Sequence, residues 1–255
     1  MPVYNNINTI FVRVPKTAST SMCDKLYSLD SFARYFSPQN TKTSPELVLP
    51  TEKHEGILDI KENVSNNLFD DYYKAAFVRN PWDWLVSYYF YYKKLSSITT
   101  GGYTGTRKLF TLSDGAIKIN KIASDALAAK AVEIKDEENI SFKEFLMVVE
   151  SESKNYEKGV KLSQLAHPYQ PQYKYLVDKD DDIVVNFVGK YENLENDWKY
   201  LCERLKLVGN RRTNLILGCL NQSEHRDYRM YYDESDAEMV YNIYRKDIGL
   251  FDYRF

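Results

Sequence analysis

Three times along this chain, a short apolar run stops at a turn and is followed by a segment that reads as a helix. The runs are "NTIFVRV" (Asn8–Val14), "YKAAFVR" (Tyr73–Arg79) and "DIVVNFVG" (Asp182–Gly189). A helix from about Thr20 to Leu29 follows the first. After the second, Pro81 suits the first turn of a helix, where a missing N–H costs nothing. That helix runs from Trp82 to about Lys94 and sets Trp82, Leu85, Val86, Tyr89 and Phe90 on one stripe. After the third, Leu194, Trp198, Leu201, Cys202 and Leu205 recur at helical spacing. Strands alternating with helices specify an α/β fold around a mainly parallel central sheet flanked by helices.

The remaining segments read less sharply. Residues 37–56, with three prolines and many turn formers, form a loop. Residues 96–116 are rich in Gly, Ser and Thr and read as a mobile excursion, while 117–134 has helical character. Ser141 and Glu144 make a capping box for a further helix. A last helix from about Glu234 to Lys246 carries Ala237, Val240, Tyr241, Tyr244 and Ile248 on one side. With no internal repeat and no linker, residues 1–255 read as one domain with a variable excursion at about 96–140.

Composition narrows the function classes. A net charge of -2 argues against a general nucleic-acid binder, though a local basic pocket for one anionic ligand is compatible with it. The three cysteines, Cys23, Cys202 and Cys219, have no metal-ligand spacing, and their odd number is not a disulfide framework. No apolar run is long enough to span a membrane, and the N-terminus is no signal peptide. The expectation is a soluble, cytoplasmic protein without metal.

"RVPKTASTS" (residues 13–21) sits between the first strand and its helix and carries one lysine and four hydroxyl residues. Backbone N–H groups and the positive end of a helix dipole at such a turn attract an anion. Lys16 adds a point charge, and Thr17, Ser19, Thr20 and Ser21 add hydroxyl donors, which suits a phosphate or sulfuryl group. The bland alternative is that Ser19 or Thr20 only caps the helix. The segment is not a Walker A loop, since it lacks G-x-x-x-x-G-K. "FVRNPWDWLVS" is a second candidate anion site. Arg79 ends the strand there and can fork two donors onto a phosphate, and Ser87 lies about two helical turns on. Taken singly, Arg79 reads equally as half of a surface salt bridge and Ser87 as an incidental serine.

Together the two segments resemble the sulfotransferases that use 3′-phosphoadenosine 5′-phosphosulfate, above all the carbohydrate type, and among them the heparan sulfate and uronyl 2-O-sulfotransferases. "PKTASTS" is similar to their P-K-T-[GA]-[GS]-T-S loop. "RNPWDWLVS" is similar to their R-[ND]-P-x-x-R-L-V-S segment, with Trp84 where an arginine is usual. "NFVGKYENL" resembles their later strand and turn, and "QSEHRDYRMYY" their nucleotide-closing loop. The likeness covers most of the chain outside about 96–140. It implies a P-loop-like sheet and 5′-phosphosulfate contacts from Lys16, Thr17, Ala18, Ser19, Thr20 and Ser21. It implies 3′-phosphate contacts from Arg79 and Ser87, and closing-loop contacts from Ser223 and Arg226. Lys16 would also stabilise the charge that develops on the leaving phosphate.

Sulfuryl transfer needs a base for the acceptor hydroxyl, and there are three histidines. His54 lies between the two phosphate segments, about where the carbohydrate 2-O-sulfotransferases carry their catalytic histidine. Glu55 is the alternate base, His167 is placed to face an acceptor, and His225 lies in the closing loop. The resemblance implies a carbohydrate hydroxyl as acceptor. "TTGGYTGTRK" and "HPYQPQYKY" offer tyrosines that either stack on sugar rings or are ordinary loop residues. The initiating methionine and reduced-looking cysteines favour a bacterial or viral source. A nucleotide kinase-like enzyme and a non-catalytic glycan-binding relative stay open as other classes.

Overall fold

The structure, a computed structural model, describes residues 3–29, 54–100, 140–157, 167–207, 216–217 and 225–255. The expected loop up to residue 53, the excursion and helix at 101–134, Ser223 and Cys219 lie outside the described residues. In chain order the elements are β1 (Val3–Tyr4), β2 (Thr9–Val12), α1 (Ser19–Leu29), α2 (Ile57–Glu62), α3 (Asn66–Asp71) and β3 (Tyr73–Val78). There follow α4 (Pro81–Thr100), α5 (Phe142–Glu157), β4 (Phe187–Lys190), α6 (Leu194–Arg204), α7 (Glu234–Ile243) and α8 (Arg245–Leu250). No helix among the described residues is long and apolar enough to cross a membrane.

Two compact units form, Met1–Asn80 with Gln172–Gln222, and Pro81–Pro171 with Ser223–Phe255. The first holds the sheet, in order β1-β2-β3-β4. β2, β3 and β4 run parallel, as the strand-helix alternation requires, whereas β1 is an added antiparallel edge. A 3₁₀ turn returns β1 into β2 and ends on Asn8 at φ 44, a left-handed conformation that asparagine tolerates better than most residues. β2 is buried along its whole length, the mark of a parallel strand covered on both faces. Phe11, Ala75 and Phe77 pack with Met22, Cys23 and Leu26 of α1 and with Trp198, Leu201 and Cys202 of α6. The apolar spacing seen after the third run is thus the packed stripe of α6.

The third strand is shorter than its sequence suggests. The stretch before Phe187 is diverted into a separate turn, where Ile183 bridges Val177 and the Val184 N–H donates to the Leu176 carbonyl at 3.0 Å. Sheet pairing resumes at Asn186, which accepts the Lys74 N–H on its side chain and donates its own N–H to the Lys74 carbonyl, each at 2.8 Å.

The second unit is helical. Ser141 caps α5 as its spacing indicates: its N–H donates to Glu144 Oε2 at 2.6 Å, and its Oγ accepts the Glu144 N–H at 3.3 Å. α4 departs from the single-stripe reading. Trp84 and Tyr88 are buried along with Trp82, Leu85, Val86 and Tyr89, so the helix is apolar nearly all round. α4 also continues to Thr100 and takes up the start of the expected excursion. The last helix breaks at Tyr244 into α7 and α8. Tyr244 is buried, with its hydroxyl donating to the Pro168 carbonyl, while Tyr241 is 42% exposed and does not share the packed face assigned to it.

Candidate active site

In the first unit the chain leaves β2 at Val12 and reaches α1 at Ser19 through a loop of uncommon backbone. Lys16 and Ala18 both stand at φ 60, left-handed positions where a Cβ is disfavoured. Such residues flanking an ordinary one turn amide N–H groups toward a common concavity, the geometry of anion-binding nests. Ala18 occupies the cap position, since its carbonyl accepts the Met22 N–H at 3.2 Å. The helix-capping alternative for Ser19 and Thr20 therefore fails on position, because Ser19 is already the first helical residue. Thr17 is fully buried and donates its hydroxyl to the Val14 carbonyl at 2.9 Å, tying the loop to the strand end. Ser19 and Ser21 are buried as well.

Arg79, one residue past β3, meets this loop. Its Nη1 donates to the Lys16 carbonyl at 3.1 Å, and its guanidinium carbon lies 4.0 Å from the centre of the Tyr191 ring. Arg79 is only 5% exposed, which rules out the surface salt-bridge reading. Two turns 63 residues apart in the chain thus share one place in the fold.

His54 comes to the same loop. Its Nδ1 lies 2.8 Å from the Arg13 carbonyl oxygen. A carbonyl only accepts, so Nδ1 carries the proton in this contact, and in the neutral ring the lone pair is then on Nε2. Arg13 also sends Nη2 to Thr20 Oγ1 at 3.4 Å, while its Nε is buried with no hydrogen-bond partner. Glu55 is partly buried beside His54.

Three contributors were not singled out in the sequence. Gln172 is fully buried and bonds both backbone groups of Arg79; Oε1 accepts its N–H at 2.9 Å and Nε2 donates to its carbonyl at 2.7 Å. Glu192 Oε1 accepts the Asn80 N–H at 2.6 Å, and Tyr191 supplies the ring under Arg79. Glu192 stood within the "GKYENL" likeness without a role, whereas nothing in "HPYQPQYKY" marked Gln172. That segment's tyrosines correct the sugar-stacking expectation: Tyr169, Tyr173 and Tyr175 are 6%, 8% and 1% exposed and belong to cores. "TTGGYTGTRK" lies outside the described residues from 101 onward.

The other candidates fall in the second unit. Ser87 is buried on α4. Trp84, in the place of the usual arginine, is fully buried, edge-on to Tyr88 and Tyr244 with centroids at 5.0 and 5.8 Å. It is a packing residue. Arg226 is exposed and its N–H donates to the Tyr231 hydroxyl at 3.2 Å. The His225 ring lies nearly parallel to Phe90, with centroids 5.8 Å apart. His167 opens a single 3₁₀ turn, His167–Tyr169.

A family model described as the sulfotransferase family matches residues 3–254. The chain belongs to the sulfotransferase family. No curated protein and no solved structure matches it. The match takes in every segment of this sulfotransferase on which the sequence likeness rested, and with it the α/β fold. The family's chemistry is transfer of a sulfuryl group to an acceptor.

Proposed function

We propose that this sulfotransferase moves the sulfuryl group of 3′-phosphoadenosine 5′-phosphosulfate to a carbohydrate hydroxyl, with His54 as the base. In an in-line displacement the acceptor oxygen forms a bond to sulfur as the bond from sulfur to the 5′-phosphate oxygen breaks. The hydroxyl proton passes to His54 Nε2, and adenosine 3′,5′-bisphosphate leaves with the negative charge. Lys16 and the amides of the loop stand against that growing charge, where preorganised donors act most strongly. Arg79 is assigned to the nucleotide, and Ser87, Ser223 and Arg226 keep the nucleotide-binding roles their motifs carry. Glu55 is the alternate base.

The observation that carries this reading is the His54 to Arg13 contact of 2.8 Å. It holds the imidazole on the carbonyl of Arg13, a residue three before Lys16, in the tautomer a base requires. The buried Nε of Arg13 and the left-handed residues of the loop both favour an anion there. The carbohydrate acceptor rests on the sequence resemblance alone.

Calorimetry with adenosine 3′,5′-bisphosphate and with ATP tests the donor. The bisphosphate is expected to bind at least about tenfold more tightly, a difference of roughly 1.4 kcal/mol. Transfer from radiolabelled donor onto a panel of glycans then tests the acceptor. Equal affinity for ATP defeats the donor assignment; transfer only to non-carbohydrate hydroxyls defeats the acceptor assignment.

A further inference from the structure

We propose that Gln172 is a positioning residue for the sulfuryl donor, acting through the backbone of Arg79; the proposal rests on the nucleotide-binding reading of Lys16 and Arg79. Sheet pairing runs out where Arg79 begins. β3 pairs with β4 only as far as Val78 opposite Lys190, and with β2 only as far as Ala76 opposite Val12. The Arg79 N–H and carbonyl therefore lie past the ladder, in a buried residue whose polar groups need partners.

The Gln172 carboxamide supplies both, at 2.9 and 2.7 Å. A carboxamide presents one acceptor and one donor side by side, so it pairs with this residue as a neighbouring strand would. Only one orientation of the amide satisfies both bonds. The backbone of Arg79 is thereby held where its guanidinium reaches the Lys16 carbonyl at 3.1 Å. That carbonyl belongs to a residue at φ 60, a conformation that persists only when its surroundings over-determine it. The chain of support runs from Gln172 to Arg79 to the Lys16 turn. Gln172 itself is fully buried, so its proposed effect on the nucleotide passes through these neighbours.

Two substitutions separate positioning from bulk stability. Gln172→Met keeps the length and removes both hydrogen bonds. Gln172→Glu reproduces the clamp only when protonated, because a carboxylic acid has one acceptor and one donor, whereas a carboxylate sets an acceptor against the Arg79 carbonyl. Burial raises the carboxyl pKa, so protonation falls within an accessible range.

Calorimetry of adenosine 3′,5′-bisphosphate is read as the ratio of variant to wild-type affinity at each pH, which cancels titration of the ligand. Near pH 8 both variants are expected to bind about tenfold more weakly than wild type. Near pH 5 the Gln172→Glu ratio is expected to recover to within about threefold while Gln172→Met does not. A purely structural role would shift melting temperatures and leave these ratios flat. Should Gln172→Met fail to fold, Gln172→Glu decides alone. A flat ratio across pH, wild-type affinity near pH 8, or a Gln172→Glu protein still unfolded near pH 5 overturns the proposal. If the wild-type protein does not bind the bisphosphate, the nucleotide reading itself falls and takes the positioning role with it; if wild type binds and the variants bind equally, only the positioning role falls.

Discussion

His54 shows how far one side chain can be read. Its place between the two candidate phosphate segments, about where the resembled enzymes carry their histidine, made it the preferred base, with Glu55 beside it as the alternate. The tertiary contact to Arg13, at 2.8 Å, supports the proposal of His54, because it sets the tautomer of the neutral imidazole. His54→Ala is expected to lower kcat by about 10²- to 10⁴-fold, the usual contribution of a general base. Adenosine 3′,5′-bisphosphate should still bind with near wild-type affinity, since the contacts that set the Lys16 turn, from Thr17 and from Arg79, do not involve His54. Turnover within a few-fold of wild type would reassign the base, with Glu55→Gln the next variant to assay. Trp84 teaches the converse. A residue at a motif position did not inherit the motif's role, because an indole has no charge to offer an anion and packs instead against Tyr88 and Tyr244.

At the scale of elements, the strand-turn-helix alternation was legible because period-two and period-3.6 patterns arise from local backbone geometry. The pairing of β3 with β4 was not, because register depends on what each strand meets. Phe77 lies opposite Gly189, and a Cβ built on Gly189 would stand 2.4 Å from the Phe77 ring. Ring and glycine are complementary shapes, so "VGK" carries glycine for close approach. Gly189→Ala is expected to destabilise the protein by about 1–3 kcal/mol, the range for overpacking a core. In a Phe77→Leu background the same substitution should cost less, with coupling of roughly 0.5–3 kcal/mol in a double-mutant cycle. Equal costs in both backgrounds, measured by urea denaturation, would show that the ring is not the obstacle.

At the scale of the whole molecule, the described residues include a buried thiol and several buried phenols that hold their protons above the ordinary range. Burial, with Glu203 adding to it, pushes the Cys202 thiol up to about 12. Burial also raises the Tyr169, Tyr232 and Tyr244 phenols, helped by nearby carboxylates such as Glu152 at Tyr169 and Asp247 at Tyr244. Each group stays protonated in the folded chain at a pH where the unfolded chain has lost the proton. Their contribution to stability is therefore complete below the unfolded values, near 9.0 for the thiol and 10.0 for the phenols, and declines as pH rises toward the folded ones. Thermal melts are expected to show a steady fall in Tm above about pH 9, eased by Cys202→Ala, whereas a flat Tm to about pH 11 would contradict this account. The α/β class and the two strand-to-helix turns proposed to hold the nucleotide could be read from local order alone, since propensity, capping and the strand-to-helix turn involve residues close in the chain. Folding alone decided that Arg79 reaches Lys16, that Gln172 holds Arg79 and that Tyr169, Tyr173 and Tyr175 are core. Those outcomes depend on which distant groups a buried donor, acceptor or ring meets, and adjacent sequence carries no record of that.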